Sequence, residues 1–337
     1  MVATWNGARR LPGTLAALLL QRTPPGLRWE VIVVDNASSD DSAAVARAAW
    51  PQDAPAPLRV VVEGRPGLRH ANERGLAEAR HDLIGLVNDD NGPQPGWLAG
   101  VVAFMEAHPR TAAVGARGIA SPEVQAPAWF ERFQKHYAVG AQAEQAGPLT
   151  APQAALWGAS TSYRVAAWRD LAARGFAPHE LGRRGALLSA GEDYELAYAL
   201  RLAGWELWYE PGLAFRHRIP AERLDWRWHR RMQRGFGAAI AHDAYVLALC
   251  GSAASLAEFV SAAWAREAAA AMAGLLRFGL QFVLGDRLPG DPAVARADQL
   301  YGRLRALLAW RTRYDRWLAA IRTAPWRRPA SVTSSAS

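Results

Sequence analysis

The feature that most restricts the fold is a succession repeated along the first 115 residues: a short apolar run, a polar break, then a segment of helical period. Trp29-Glu30-Val31-Ile32-Val33-Val34 leads into "DNASSDDS" and the helical "AAVARAAW". Leu58 to Val62 leads into a Gly-Pro-Gly turn and a helix from about His70 to Arg80. Leu83 to Val87 leads into "NDDNGPQPG" and a helix from Trp97 to about His108. Strands separated by helices of this length form a mostly parallel sheet covered on both faces. Ligands of such sheets sit beyond the carboxyl ends of the strands. The acidic clusters at 35–41 and 88–91 both fall at that edge. Only "MVAT" precedes Trp5-Asn6-Gly7, so either the first strand is short or the assigned start lies inside a longer one.

Composition narrows the function. The chain has 337 residues, is 50% hydrophobic and carries a net charge of +8. That suits a substantial core and an anionic partner, without choosing among nucleotides, lipid headgroups and nucleic acid. Lys135 is the only lysine; arginine carries the rest of the positive charge, either for bidentate phosphate contact or through genomic base composition. The single Cys250 excludes an internal disulfide framework and a multi-cysteine zinc site. No charge-free apolar run reaches the roughly 18–20 residues of a membrane span. The opening, with Arg9, Arg10 and Pro12, does not read as a secretory signal. These features set the expectation of a cytoplasmic protein.

Residues 118–156 read as an irregular surface excursion and a candidate lid. Order returns at "WGASTSYRVAAW", with a helix over about Glu192 to Ala203 and two short strands around Leu207 and Phe215. After Leu224 the pattern is helical and amphipathic. The expected division is 1–225 (a nucleotide-binding half, 1–115, and an acceptor half, 157–225), a helical region at 226–325, and a disordered tail at 326–337.

Four constellations carry chemistry. Thr4 and Asn6 lie near the later Asp35, whose carboxylate can accept from the N–H of a pyrimidine base; Ser39, Asp40 and Asp41 suit helix capping better. Asn88, Asp89 and Asp90 suit Mg²⁺ or Mn²⁺, hard ions that prefer oxygen and that neutralise a diphosphate, although a solvated turn would look the same. In "SAGEDYEL", Ser189 and Glu192 match a capping box, leaving Asp193 free in the first turn. There the helix macrodipole is expected to keep Asp193 ionised, the state of a general base. Adjacent Glu192 and Asp193 diverge by roughly 100° on a helix and cannot flank one glycosidic bond as a hydrolase pair. Finally, His217 precedes "RWHRRMQRGFG", where Arg230, Arg231 and Arg234 either hold phosphate or form a solvated helix face.

With "ATWNG", "VIVVDNASSDDS", "GLRHANERGLAEA", "LVNDDNGPQPGWL", "GASTSYR", "GED…LAYALRLAGWELWYEP" and His217 in order over about residues 1 to 220, the chain resembles the family 2 inverting glycosyltransferases. A run from Gly204 to Leu224 also resembles exopolysaccharide-biosynthesis members. The resemblance implies an α/β GT-A fold, Rossmann-like with a helical C-terminal region. It also implies a hexosyltransferase moving sugar from a nucleotide diphosphate donor, UDP-sugar favoured, to a saccharide or lipid-linked acceptor. Thr4, Asn6, Asp35, Asn72, Asn88, Asp89, Gly158, Arg230 and Arg234 would bind the nucleotide sugar, and Asp90 and His217 a divalent cation (Mg²⁺ or Mn²⁺). Asp193 would be the base, with Glu192 beside it. Two departures stand out. Asn88 replaces the usual first aspartate of the D-x-D motif, and Ala71 stands where an arginine commonly precedes Asn72, so Arg69 or Arg74 would have to substitute.

Rival readings are a degenerate GT-A-like scaffold, favoured by Asn88, and a nucleotidyltransferase, disfavoured by the poor phosphate loop in "WNGARRLPG". Nucleic-acid binding lacks any motif, and the acidic clusters oppose it. Residues 236–285 read either as a helical subdomain or dimer interface, or as an interfacial helix on the anionic inner face of the cytoplasmic membrane.

Overall fold

The computed structural model describes residues 1–179, 191–250 and 263–327. Its sheet runs in the order β3-β2-β1-β4-β8-β6-β9-β5. The strands are β1 (Val2–Thr4), β2 (Val31–Asp35), β3 (Leu58–Val62), β4 (Leu83–Asn88), β5 (Asn91–Pro93), β6 (Thr111–Pro122), β7 (Gly147–Pro148), β8 (Thr161–Arg164) and β9 (Glu206–Ile219). The expected parallel half is β3-β2-β1-β4. Every side chain of β2 is buried, as a central strand covered on both faces requires. Register pairs Thr4 with Asp35 and Ala3 with Asn88, which brings the polar strand ends to one height. Beyond β4 the sheet becomes mixed: β8 is antiparallel to β4 and β6, β9 runs parallel to β6, and β5 and β7 are antiparallel to β9.

Two expectations change. The two strands around Leu207 and Phe215 are one, β9, interrupted by an irregularity. Gly115 pairs with Tyr209, but Arg117 pairs with Ala214, so Pro211 and Gly212 bulge out of the ladder instead of ending it. The 118–156 stretch is not a loose excursion. It continues β6, then forms a helix at Phe130–Phe133 and a 3₁₀ turn at Gln134–Tyr137, and it buries Phe130, Phe133, Tyr137, Val139 and Leu156.

The helices are α1 (Leu11–Leu19), α2 (Ser42–Ala48), α3 (Leu68–Glu78), α4 (Trp97–Ala107), α5 (Phe130–Phe133), α6 (Val165–Ala173), α7 (Glu192–Leu202), α8 (Trp226–Ala238), α9 (His242–Leu249), α10 (Ala263–Arg277), α11 (Gly279–Leu284), α12 (Pro292–Ala309) and α13 (Arg311–Arg322). Asp225 caps α8 by accepting from the Trp228 N–H at 3.0 Å, and Asp291 caps α12, whose first residue is Pro292. The largest core joins Ile84, Leu86 and Tyr163 of the sheet to Leu200 of α7, Tyr245 of α9, Leu304 of α12 and Trp317 of α13. One core therefore crosses the expected boundary at 225/226. Residues 328–337, most of the expected tail, lie outside the described residues.

Candidate active site

A cleft of about 920 Å³ opens beyond the carboxyl ends of β1 and β4. Thr4 and Asn88 form its floor, and Asn36, Gly67 and Asn72 one side. The turn at 135–138 and the α8 residues Trp228 and Arg231 form the opposite side; Gly158, Asp193, Tyr194 and His242 close the far end.

Asp89 is buried at the floor, 7% exposed. It accepts from Thr4 Oγ1 at 2.6 Å and from Arg10 Nε and Nη2 at 2.9 and 2.8 Å, a bidentate fork. Burial pushes its pKa up against the pull of Arg10 and Thr4, with Asp90 adding to the rise. The chain passes so close here that a methyl group on Gly7 would overlap both Thr4 Oγ1 and the Asp89 carboxylate. Asn6, with a left-handed φ of 48°, accepts from the Ser39 N–H at 2.8 Å and ties the first loop to the second.

Asp90 faces β9. Arg223 Nη1 donates to its Oδ2 at 3.0 Å, and His217 Nε2 lies 3.4 Å from the same oxygen. His217 Nδ1 sits 2.6 Å from the Tyr137 carbonyl, which can only accept, so that nitrogen carries the proton. In the neutral ring Nε2 is then a lone pair aimed at a carboxylate oxygen, and such a pair needs a cation or a proton between its members. A histidine oriented through its other nitrogen by a carbonyl is also how metal-binding histidines are commonly held. No group of three or more His, Cys, Asp or Glu side chains suited to a metal occurs among the described residues. A divalent ion held by Asp90 and His217 would have to take its remaining ligands from phosphate and water.

The Tyr137 side chain is engaged as well. Its hydroxyl donates to the Arg223 carbonyl at 3.0 Å and lies 3.1 Å from His229 Nδ1. Gln233 Nε2 donates to His229 Nε2 at 2.9 Å and to His136 Nδ1 at 2.7 Å, while its Oε1 accepts from Gln299 Nε2 at 2.7 Å. These partners admit one hydrogen assignment, with His229 neutral and protonated on Nδ1. Burial, and His136 nearby, lower the His229 pKa to about 3.

Asp193 closes the far end. Its Oδ2 accepts from the Gly158 N–H at 2.7 Å and its Oδ1 from its neighbour's Tyr194 N–H at 2.9 Å. Burial nevertheless pushes its pKa up, with those backbone donors and His242 opposing. Desolvation thus acts on Asp193 in the direction opposite to the macrodipole. The expected capping box is revised. Gly191, at φ 128°, is the N-cap and Glu192 opens the helix, while Ser189 lies outside the described residues. Glu192 is buried and lines the cleft beside Asp193.

Thr4, Asn6, Asn72, Asn88, Asp89, Asp90, Gly158, Glu192, Asp193 and His217 thus share one cleft. Asp35 stands behind its wall, accepting from the Ser38 N–H at 3.1 Å, and Asn36 faces the cleft in its place. Arg230 and Arg234 do not reach it. Both donate to the fully buried Asp298 at 2.7 Å, and Arg230 also binds Asp286 and the Phe282 carbonyl, which clamps α8 to α11 and α12. Arg69 is held by Glu73 and the Pro178 carbonyl, and Arg74 by Glu78, so neither replaces the missing arginine; Ala71 is buried against Ile32 and Val34. Among the described residues, the cleft's arginines are instead Arg10, Arg223 and Arg231. Sequence reasoning missed Arg10, Arg223, Tyr137 and His242. Arg10 carried a faint signal, an arginine one turn past the first polar break.

A sequence model described as glycosyl transferase family 2 matches residues 1–170, half of the 337-residue chain. An uncharacterized glycosyltransferase of Mycobacterium tuberculosis (strain ATCC 25618 / H37Rv) is 35% identical over 101 residues, 30% of this chain and 40% of that relative, so the match spans less than half of the relative's length. Among solved structures, the mannosyltransferase PcManGT from Pyrobaculum calidifontis, in complex with GDP-Man and Mn²⁺, is 19% identical with a TM-score of 0.56, covering 91% of this chain and 86% of its own. TarS 1–349 of S. aureus, in complex with UDP-GlcNAc, is 16% identical with a TM-score of 0.51, covering 95% and 89%. At these identities the likeness bears on the fold, and the GT-A architecture expected from the sequence is the one present.

Proposed function

The chain belongs to glycosyl transferase family 2, and from that premise we propose that it transfers a sugar from a nucleotide diphosphate donor to an acceptor hydroxyl, with inversion at the anomeric carbon. The observation that carries this reading is Asp193. Its carboxylate faces the cleft, and the only hydrogen bonds described to it come from backbone N–H groups. A carboxylate with a raised pKa is a stronger base near neutral pH than an exposed one. Asp193 takes the proton of the acceptor hydroxyl as its oxygen attacks the anomeric carbon. The bond from that carbon to the diphosphate oxygen breaks on the opposite face.

The donor lies over Thr4, Asn36 and Asn72, with its diphosphate towards Asp90, His217 and Arg223. A divalent ion held by Asp90 and His217 supplies positive charge to the leaving diphosphate when bound. Arg10 keeps Asp89 oriented at the floor. Trp157, Tyr194 and Trp228 line the cleft and exclude water that would otherwise hydrolyse the donor. The relatives bound to UDP-GlcNAc and to GDP-Man support a sugar nucleotide in general. The acceptor is a saccharide or a lipid-linked saccharide.

Thermal-shift titration with UDP, GDP, dTDP and CDP, each with Mn²⁺, Mg²⁺ or EDTA, tests the reading. A nucleotide at about 100 times its Kd stabilises by roughly 2.7 kcal/mol. A metal-dependent shift with one nucleotide, lost in Asp90→Ala and kept in Asp193→Asn, is expected. No shift with any of them overturns the transferase and favours the second reading, a scaffold that has lost activity through Asn88; donor turnover restored by Asn88→Asp would identify that case.

A further inference from the structure

The helix pair α10–α11 presents two faces. Ala268 and Ala271 are buried in the core shared with α12, and Trp264, Leu275 and Phe278 pack against it. Other large residues face out. Leu276, Leu280 and Val283 are 74%, 68% and 77% exposed, with Met272, Leu284 and Leu288 beside them in sequence. Met272 and Leu276 on α10, and Leu280 and Val283 on α11, each follow helical spacing within their own helix, so each helix carries part of an exposed apolar surface. Exposed apolar surfaces of this kind on otherwise folded proteins mark interaction sites.

No single helix among the described residues is long and apolar enough to cross a membrane; α10 and α11 pass that test only together, and they are bent by 72°. Phe282 of α11 packs on Tyr301 of α12 at 5.0 Å, and the Trp226 indole donates to the Gly285 carbonyl at 2.7 Å. A pair fixed to the protein along one face and bent in this way suits lying on a surface better than spanning a bilayer.

Charge selects the partner. Arg277 and Arg287 are exposed within the same segment, and neither is in an ion pair among the described residues. The acidic groups there are already engaged, Asp286 by Arg227 and Arg230 at 3.2 and 2.7 Å and Glu267 by Arg303 at 2.7 Å. A second copy packed about a twofold axis would bring these arginines towards one another with no spare carboxylate in the segment to meet them. Lipid headgroups carrying negative charge would meet both, while the arginine stems lie along the apolar surface. We propose that the outer face of α10 and α11 docks on an anionic lipid bilayer.

Flotation of the full chain with phosphatidylcholine vesicles, with and without phosphatidylglycerol, tests this. Recovery with the anionic vesicles is expected, weakened by high salt. In Leu276→Ser/Leu280→Ser/Val283→Ser the partition coefficient should fall at least about tenfold, and Arg277→Glu/Arg287→Glu should remove the preference for phosphatidylglycerol. These side chains are exposed, so both variants should melt and bind nucleotide as the parent does, which keeps this test separate from that of the transferase. Recovery in the soluble fraction with both vesicle types overturns the proposal. So does vesicle binding that neither variant weakens, or a dimer in light scattering that the triple serine variant dissolves without any lipid binding.

Discussion

The two ends of the cleft hold their carboxylates in opposite ways. At the floor, Asp89 and Asp90 are each met by a guanidinium, Arg10 at 2.8 Å and Arg223 at 3.0 Å. At the far end, Asp193 is buried among backbone donors and its pKa is pushed up. Burial raises the Asp89 pKa too, but there the Arg10 fork pulls against the rise and holds the carboxylate in place, which suits a group that orients a diphosphate. A desolvated carboxylate without such a pairing has a heightened appetite for a proton, which suits a base. The same residue type is thus tuned to two tasks by what surrounds it.

The comparison breaks most visibly at Asp193. Asp193→Asn should lower kcat by about 10³-fold or more while nucleotide Kd stays nearly unchanged, since a general base acts in the transition state; isothermal calorimetry beside steady-state rates checks this. Weakened nucleotide binding would place Asp193 with the donor instead. Arg10→Ala should destabilise the fold by about 2–3 kcal/mol in urea melts, because it strips the buried Asp89 of its cation while Arg10 itself is partly exposed. The loss should shrink at low pH, where Asp89 is protonated. His217→Ala should weaken metal-dependent nucleotide binding by about 10–100-fold and leave binding in EDTA untouched.

Two smaller effects concern pH. The His229 pKa is depressed to about 3 in the fold, so its contribution is whole above the ordinary histidine value. As pH falls below that value the unfolded chain binds the proton first, and stability should decline by up to about 1.4 kcal/mol per unit. His229→Gln should flatten that slope in melts across pH. Asp193 has the opposite sign. Its pKa is raised, so stability is retained below the ordinary aspartate value and declines as pH rises through the shifted one, while kcat/KM climbs over the same range. Asp193→Asn should therefore melt slightly higher than the parent above that range, and a lower melting point would deny the desolvation argument.

What the sequence revealed follows the range of the interactions. The run Val31–Asp35, the break at Asn88 to Asn91 and the helix carrying Asp193 are local patterns, and each lands at the cleft edge or in the core as its period requires. The arginines are different. Arg230, Arg231 and Arg234 lie within one short run, yet only Arg231 reaches the cleft, because Asp298, far along the chain, draws the other two inward. Arg10 and Arg223 find Asp89 and Asp90 through contacts just as distant in sequence. Periodicity cannot choose which face a cation takes when its partner is that remote. The capping box failed for a nearer reason: Gly191 takes a positive φ and starts the helix two residues after Ser189.

The turn at Gln134–Tyr137 has a consequence for inheritance. One tyrosine there orients His217 with its carbonyl, while its hydroxyl meets His229 of α8 and the Arg223 carbonyl in the turn just before α8. The segment matched by the family, residues 1–170, contains the Gln134–Tyr137 turn but neither of the histidines it holds. A chimera joined at the end of the matched segment would receive the tyrosine from one parent and both histidines from the other. Recombination between relatives should therefore succeed only where the turn and α8 travel together, which makes the pair, and not the family boundary, the unit that evolution can trade.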